Sequence, residues 1–146
     1  MKDLGSLIRL VQWRVDETRR ELADAQTEAD ACRQALVDLA AELKREQDAA
    51  RGSFEAGQGY ASYAKLFLRR REVTEAAIRA ADVEVERLRD ELSGLFLELK
   101  QAEITQANRE KREAERLAKL EQTELDEMGS MRFQRAKKAE AGDGRG

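Results

Sequence analysis

At 146 residues the chain has room for one ordinary domain, yet 39% of it is charged, only 5% is aromatic and proline is absent. Too few large apolar side chains remain for a rounded core, so burial must run along a seam, as in long helices and coiled coils. The formal net charge is -3, with both signs interleaved through most of the chain, which excludes the one-signed field that draws proteins onto nucleic acid.

The first apolar cluster, Leu4 to Val15, is broken by Arg9, Gln12 and Arg14 and closed by Asp16, so it makes neither a membrane span nor a signal-peptide core. A cytoplasmic protein is expected. Cys32 is the lone cysteine, which excludes an intramolecular disulfide and a cysteine metal cluster and agrees with a reducing compartment.

From Met1, alternating steps of three and four pass through Leu4, Ile8, Val11, Val15, Thr18, Leu22, Ala25, Ala29, Cys32, Leu36, Leu39, Leu43, Glu46 and Ala50. Thr18 and Glu46 are the poor seam residues. About seven heptads in one register predict a helix over about 2–51 that supercoils left-handed with a partner. At 1.5 Å per residue it extends roughly 70 Å, too long to stand in water with its stripe uncovered.

Gly52, Gly57 and Gly59 fall close together, raising the entropic cost of helix and offering positive-φ turn positions, so 52–60 is the expected hinge. A second helix over about 61–138 follows, with a seam through Ile78, Ala81, Val85, Leu88, Leu92, Leu95, Leu99 and Ala102. The register then slips to Ile104, Ala107, Ala114, Ala118, Leu125 and Met128, interrupted by Lys111 and Glu121. Two long helices joined by a short loop fold back on each other. The small residues Ala25, Ala29, Ala31 and Cys32 then lie opposite Ala76, Ala77, Ala80 and Ala81. Leu36 to Leu43 face Tyr63, Leu66 and Phe67, and Val11 to Val15 face Leu95, Phe96 and Leu99. A parallel homodimer gives no reason for this matching.

The fold class is therefore all-α, an antiparallel coiled-coil hairpin with an overhanging C-terminal helix and no second domain. The first helix runs out opposite about residue 110. The second should continue alone to about Met128, with a plausible break at Gly129-Ser130 and a disordered tail over 140–146. Leu117, Leu120, Leu125 and Met128 have no internal partner there and invite an external one.

Histidine is absent, which removes the commonest general base, the histidine triads and the histidine-containing zinc patterns together. The hinge lacks the Gly-Lys-Ser/Thr of a phosphate-binding loop. Carboxylates on highly charged helices are solvated faces or i,i+4 partners, such as Arg109 with Glu113 and Lys111 with Glu115. Neither catalysis, a cofactor nor a metal is expected. Cys32 at a d position reads as a small buried hydrophobe. Arg69-Arg70-Arg71 reads as a solvated face or a site for an acidic partner or membrane surface. Phe54, Tyr63 and Phe67 cluster near the hinge, where they either cap the hairpin tip or anchor a partner.

The string Glu121-Gln122-Thr123-Glu124-Leu125-Asp126-Glu127 followed by Arg132 resembles the closing pattern of the flagellar export protein family FliJ. The stretch Tyr63-Ala64-Lys65-Leu66-Phe67-Leu68-Arg69-Arg70-Arg71-Glu72 is similar to that family's hinge-side segment, although Arg71 replaces an apolar residue and one residue is added between Tyr63 and Phe67. The leucine and alanine heptads, the glycine loop and the length match over nearly the whole chain. The resemblance implies an antiparallel coiled coil like the central stalk of rotary ATPases. It implies a non-enzymatic part of the flagellar type III export apparatus. Such a protein couples the hexameric export ATPase to the export gate membrane protein and handles export chaperones.

Carried over by position, Glu121, Gln122, Asp126, Glu127 and Arg132 belong to the ATPase-side segment, beside the apolar Leu117, Leu120, Leu125 and Met128. Tyr63 and Phe67 belong to the surface that meets gate or chaperones. The implied location is the cytoplasm, peripheral to the inner membrane, and the isolated hairpin is expected to be a monomer. The equivalent stalk protein of a virulence secretion system and a structural homodimeric coiled coil are the alternatives. A membrane-surface helix, suggested by Trp13 and the N-terminal apolar stripe, is a third.

Overall fold

The computed structural model describes residues 3–143, which form two helices, α1 (Leu4–Ala50) and α2 (Phe54–Asp143). Met1, the first seam position, and the last residues of the expected disordered tail lie outside the described residues. Asp3 starts α1 by accepting from the Gly5 amide at 3.0 Å and the Ser6 hydroxyl at 2.9 Å. Those bonds, Ser6 foremost, hold its carboxyl below the usual 3.8.

The helices pack antiparallel. At the tip the Gln47 amide donates to the Tyr60 hydroxyl at 2.9 Å, and Arg70 reaches Glu42 with two bonds of 3.1 and 3.2 Å. Midway, Arg33 forks onto Asp82 at 2.6 and 2.7 Å. Farther from the turn, the Arg19 guanidinium lies 5.0 Å from the centre of the Phe96 ring. Beyond it Val11, Val15 and Leu95 form a buried cluster walled by Leu92 and Leu99.

Burial follows the coiled-coil period. Ile8, Val11, Val15, Thr18, Ala29 and Leu39 are buried on α1, and Phe67, Val85, Leu88, Leu95 and Ala102 on α2. Ala25 and Cys32 are half-buried, as are Ile78 and Ala81. Burial raises the Cys32 thiol pKa, and the Glu28 carboxylate adds to the effect, the opposite of an activated cysteine. Thr18 is covered like the apolar residues despite being a poor seam residue.

Several expectations need correction. The seam passes through half-buried Gln47 instead of exposed Glu46, because a second step of four after Leu43 carries it round to Tyr60. Ala31, Ala76, Ala77, Ala80 and Leu66 are exposed, off the stripe, and Ala29 lies beside Val85 instead of a small residue, because the Arg33–Asp82 register sets the helices a few residues away from the expected matching.

The hinge is shorter than 52–60. Gly52 donates to the Ala49 carbonyl at 3.1 Å, and Ser53 caps α2 by accepting from the Ala56 amide at 3.1 Å, so helix resumes at Phe54 with Gly57 and Gly59 inside it. No glycine among the described residues has positive φ. Gly52 serves close approach instead, since a Cβ there would sit 3.2 Å from the Ala49 carbonyl oxygen.

The break at Gly129-Ser130 does not occur, and Glu140 to Asp143 continue the helix. Glycine costs only about 1 kcal/mol in a helix interior, which the strong helix formers on either side offset.

Leu88 is among the most deeply buried side chains, with 2% of its surface exposed. Leu88→Ala is expected to destabilise the hairpin by about 2–5 kcal/mol in urea unfolding followed by circular dichroism.

Candidate partner-docking surface

Gln106 is the last position of α2 with partial cover, and from Ala107 to Gly142 every residue is exposed. This overhang is roughly 55 Å of single helix. Its sequence supports helix locally. The Arg116 guanidinium donates to Glu113 at 2.6 and 3.1 Å, Gln122 donates to Asp126 at 3.0 Å, and the Thr123 hydroxyl back-bonds to the Lys119 carbonyl at 2.9 Å. The Arg116 bonds hold the Glu113 carboxyl below its ordinary 4.5.

The overhang carries Leu117, Leu120, Leu125, Met128, Met131 and Phe133, all 48–69% exposed. Leu117, Leu120, Met128 and Met131 share one face. Leu117 and Met128 are eleven residues apart, as are Leu120 and Met131. Three α-helical turns come to just under eleven residues, so this stripe runs nearly straight along the rod, where the hairpin seam winds left-handed.

The other predicted site residues are distributed around it. Glu121 and Arg132 flank the stripe on one side, with Leu125 further round, and Glu127 flanks it on the other. Gln122 and Asp126 pair with each other on the back. Met131 and Phe133 are apolar members that the seam through Leu125 and Met128 did not include. Eleven-residue spacing was the signal for Met131. For Phe133 there was none, since it lies off the stripe.

The hinge-side prediction is placed differently. Phe67 is buried between the helices, 6% exposed, and therefore holds the hairpin together without facing a partner. Tyr63 is half-covered, and its hydroxyl is shut away from solvent without a hydrogen bond of standard geometry. Burial and the nearby Glu42 carboxylate raise its pKa. Phe54 does not join them and is 82% exposed. The arginine run is largely engaged at home, with Arg70 on Glu42 and Arg71 3.7 Å from Glu75.

Among the described residues no three His, Cys, Asp or Glu side chains gather as a metal site, and no helix is long and apolar enough to cross a membrane. What the arrangement offers is a long exposed helix with a straight apolar stripe, carried on a rigid hairpin. Residues 1–138 match the family model described as flagellar FliJ protein. The chain belongs to the FliJ family. It is thus a component of the flagellar export apparatus, in a family whose members are non-catalytic. Searches of curated proteins and of solved structures found no match.

The tip cluster has a pH signature. Bonds from Arg70 lower the Glu42 pKa below 4.5, so its contribution is present above that value and lost as pH falls through the lowered pKa. The Tyr63 pKa is raised above 10.0, so the neutral phenol's contribution is present below that value and lost as pH rises through the raised pKa. Amide exchange of residues near Tyr60 and Tyr63 should accelerate beyond its intrinsic pH dependence on both sides. Tyr63→Phe should abolish the alkaline limb and, because its hydroxyl also favours the Glu42 carboxylate, reduce the acid limb without abolishing it.

Proposed function

We propose that the chain couples the hexameric flagellar export ATPase to the export gate, itself performing no chemistry. In this reading the overhang enters the ATPase ring, and the hairpin stays outside as a rigid arm for the gate and export chaperones. The observation that carries it is the uncovered stripe of Leu117, Leu120, Met128 and Met131, on the stretch where Glu121, Gln122, Asp126, Glu127 and Arg132 resemble the family's closing pattern. An exposed line of apolar anchors on an otherwise charged rod, here Leu117 and Leu120 on one side of Glu124 and Met128 and Met131 on the other, is what a docking helix requires.

A straight stripe suits a surface that receives a single helix along its length. Charged flanks limit how deeply the helix is desolvated, so binding rests on a few apolar anchors with a polar rim. On the hairpin side, buried Phe67 and half-covered Tyr63 support the arm from within. Exposed Phe54, Leu66, Leu68 and Val73 around them form the surface open to gate or chaperones. In this reading the protein works in the cytoplasm, peripheral to the inner membrane.

Truncation after Lys119 removes Leu120, Met128 and Met131 while sparing every buried residue of the hairpin. The truncated protein should retain the hairpin's cooperative thermal transition by circular dichroism and lose binding to purified export ATPase. Equal retention of the ATPase by truncated and full-length chains would show that the overhang is not the docking surface.

A further inference from the structure

The overhang stripe reads the same in both directions about Glu124. Leu120 and Met128 lie four residues on either side of it, Leu117 and Met131 seven. The next positions on the same line are Glu113 and Arg135 at eleven, then Glu110 and Lys138 at fourteen. Charge is polarised along the same axis. Between Glu113 and Glu127 six carboxylates stand beside two cations, while between Met128 and Ala139 there are four cations and no carboxylate.

We propose that a second copy of the chain covers this stripe, the two overhangs lying antiparallel about a two-fold axis through Glu124. A two-fold antiparallel arrangement sets each position against its mirror position in the other copy. Leu120 then meets Met128 of the second copy, and Leu117 meets Met131. Glu113 is brought to Arg135 and Glu110 to Lys138. The flanks agree. Glu121 and Arg132 share one side of the stripe, Glu127 and Arg116 the other, so each flank brings a carboxylate within an arginine's reach across the axis. Parallel pairing would instead oppose Glu113 to Glu113, Arg135 to Arg135 and Lys138 to Lys138, all like-charged.

The pairing is weak by construction. Four apolar side chains per copy fall well short of the area that stable interfaces bury, roughly 1,200 Å² or more. The two Glu124 carboxylates also meet at the axis. The lone hairpin expected from the sequence is then one end of a concentration-dependent equilibrium. Self-pairing uses the stripe assigned above to the ATPase, so the two uses exclude each other. A dimer that dissociates readily keeps the stripe out of water until a better partner takes it. The pairing itself does not depend on that assignment.

The test uses the full chain with Cys32→Ser to remove the native thiol. Glu124→Cys should form a disulfide-linked dimer under mild oxidation. Leu117→Cys mixed with Met131→Cys should yield the mixed dimer, while Leu117→Cys alone should yield little. In sedimentation equilibrium, Glu124→Leu should tighten dimerisation by about tenfold or more, since it removes the like-charge pair from the axis. Arg135→Glu should weaken it, and Glu113→Arg added to Arg135→Glu should restore it. Self-linking of Leu117→Cys in preference to the mixed pair, or a monomer at every concentration with no cross-link at position 124, would overturn the proposal.

Discussion

Unequal helix length governs this molecule. α1 has 47 residues and α2 has 90, and an antiparallel pair can cover only as much of the longer helix as the shorter one reaches. Where both are present, apolar residues at a and d are buried and the period of 3.5 holds the supercoil. Where α1 ends, the same kind of charged, alanine-rich helix continues with nothing over it. The hairpin supplies a base and the surplus of α2 an exposed surface, so the boundary between them follows from the position of one turn and the extent of α1.

Along the paired region the apolar seam carries the stability, and the ion pairs contribute mainly register. Arg33–Asp82 and Arg70–Glu42 are about half exposed, where solvent screening leaves such pairs little net worth. Their value lies in discrimination, since sliding one helix by a heptad would separate both pairs and leave Phe96 without the Arg19 guanidinium. Phe67, Tyr63 and the Gln47–Tyr60 bond close the tip around a turn whose short span depends on Gly52. With the tip fixed and the register pinned, the cover that the start of α1 gives to α2 reaches Gln106.

Much of this was legible in the heptads. Ile8, Val11, Val15, Leu88 and Leu95 lie on the seam where period 3.5 puts them, and the short glycine turn between two long helices pointed to the antiparallel sense, although the matching of small residues used to support it is not realised. What the pattern could not show was how the hinge closes. Three nearby glycines argue for a loop, yet a Ser53 cap and the packing of Tyr60, Tyr63 and Phe67 on α1 outweigh about 1 kcal/mol per glycine and keep Gly57 and Gly59 helical. Phe67 was misplaced for a related reason. Aromatic side chains anchor interfaces and close hairpin tips with the same chemistry, and only the three-dimensional register tells which neighbour takes the ring.

The change of period within α2 ties the fold to its use. A heptad seam would have invited another left-handed coiled-coil helix to extend the supercoil past Gln106, lengthening the rod without leaving a free face. The eleven-residue spacing of Leu117 with Met128 and Leu120 with Met131 leaves that winding and runs nearly straight. A partner that continued the hairpin's supercoil would lose the stripe within a few turns. A partner docking on this stripe, as proposed above, would have to follow the helix axis, as a channel wall or an antiparallel helix of the same spacing does. Charge narrows the choice again, since the acidic stretch before Glu127 and the basic stretch after Met128 favour a partner whose potential reverses along the same length.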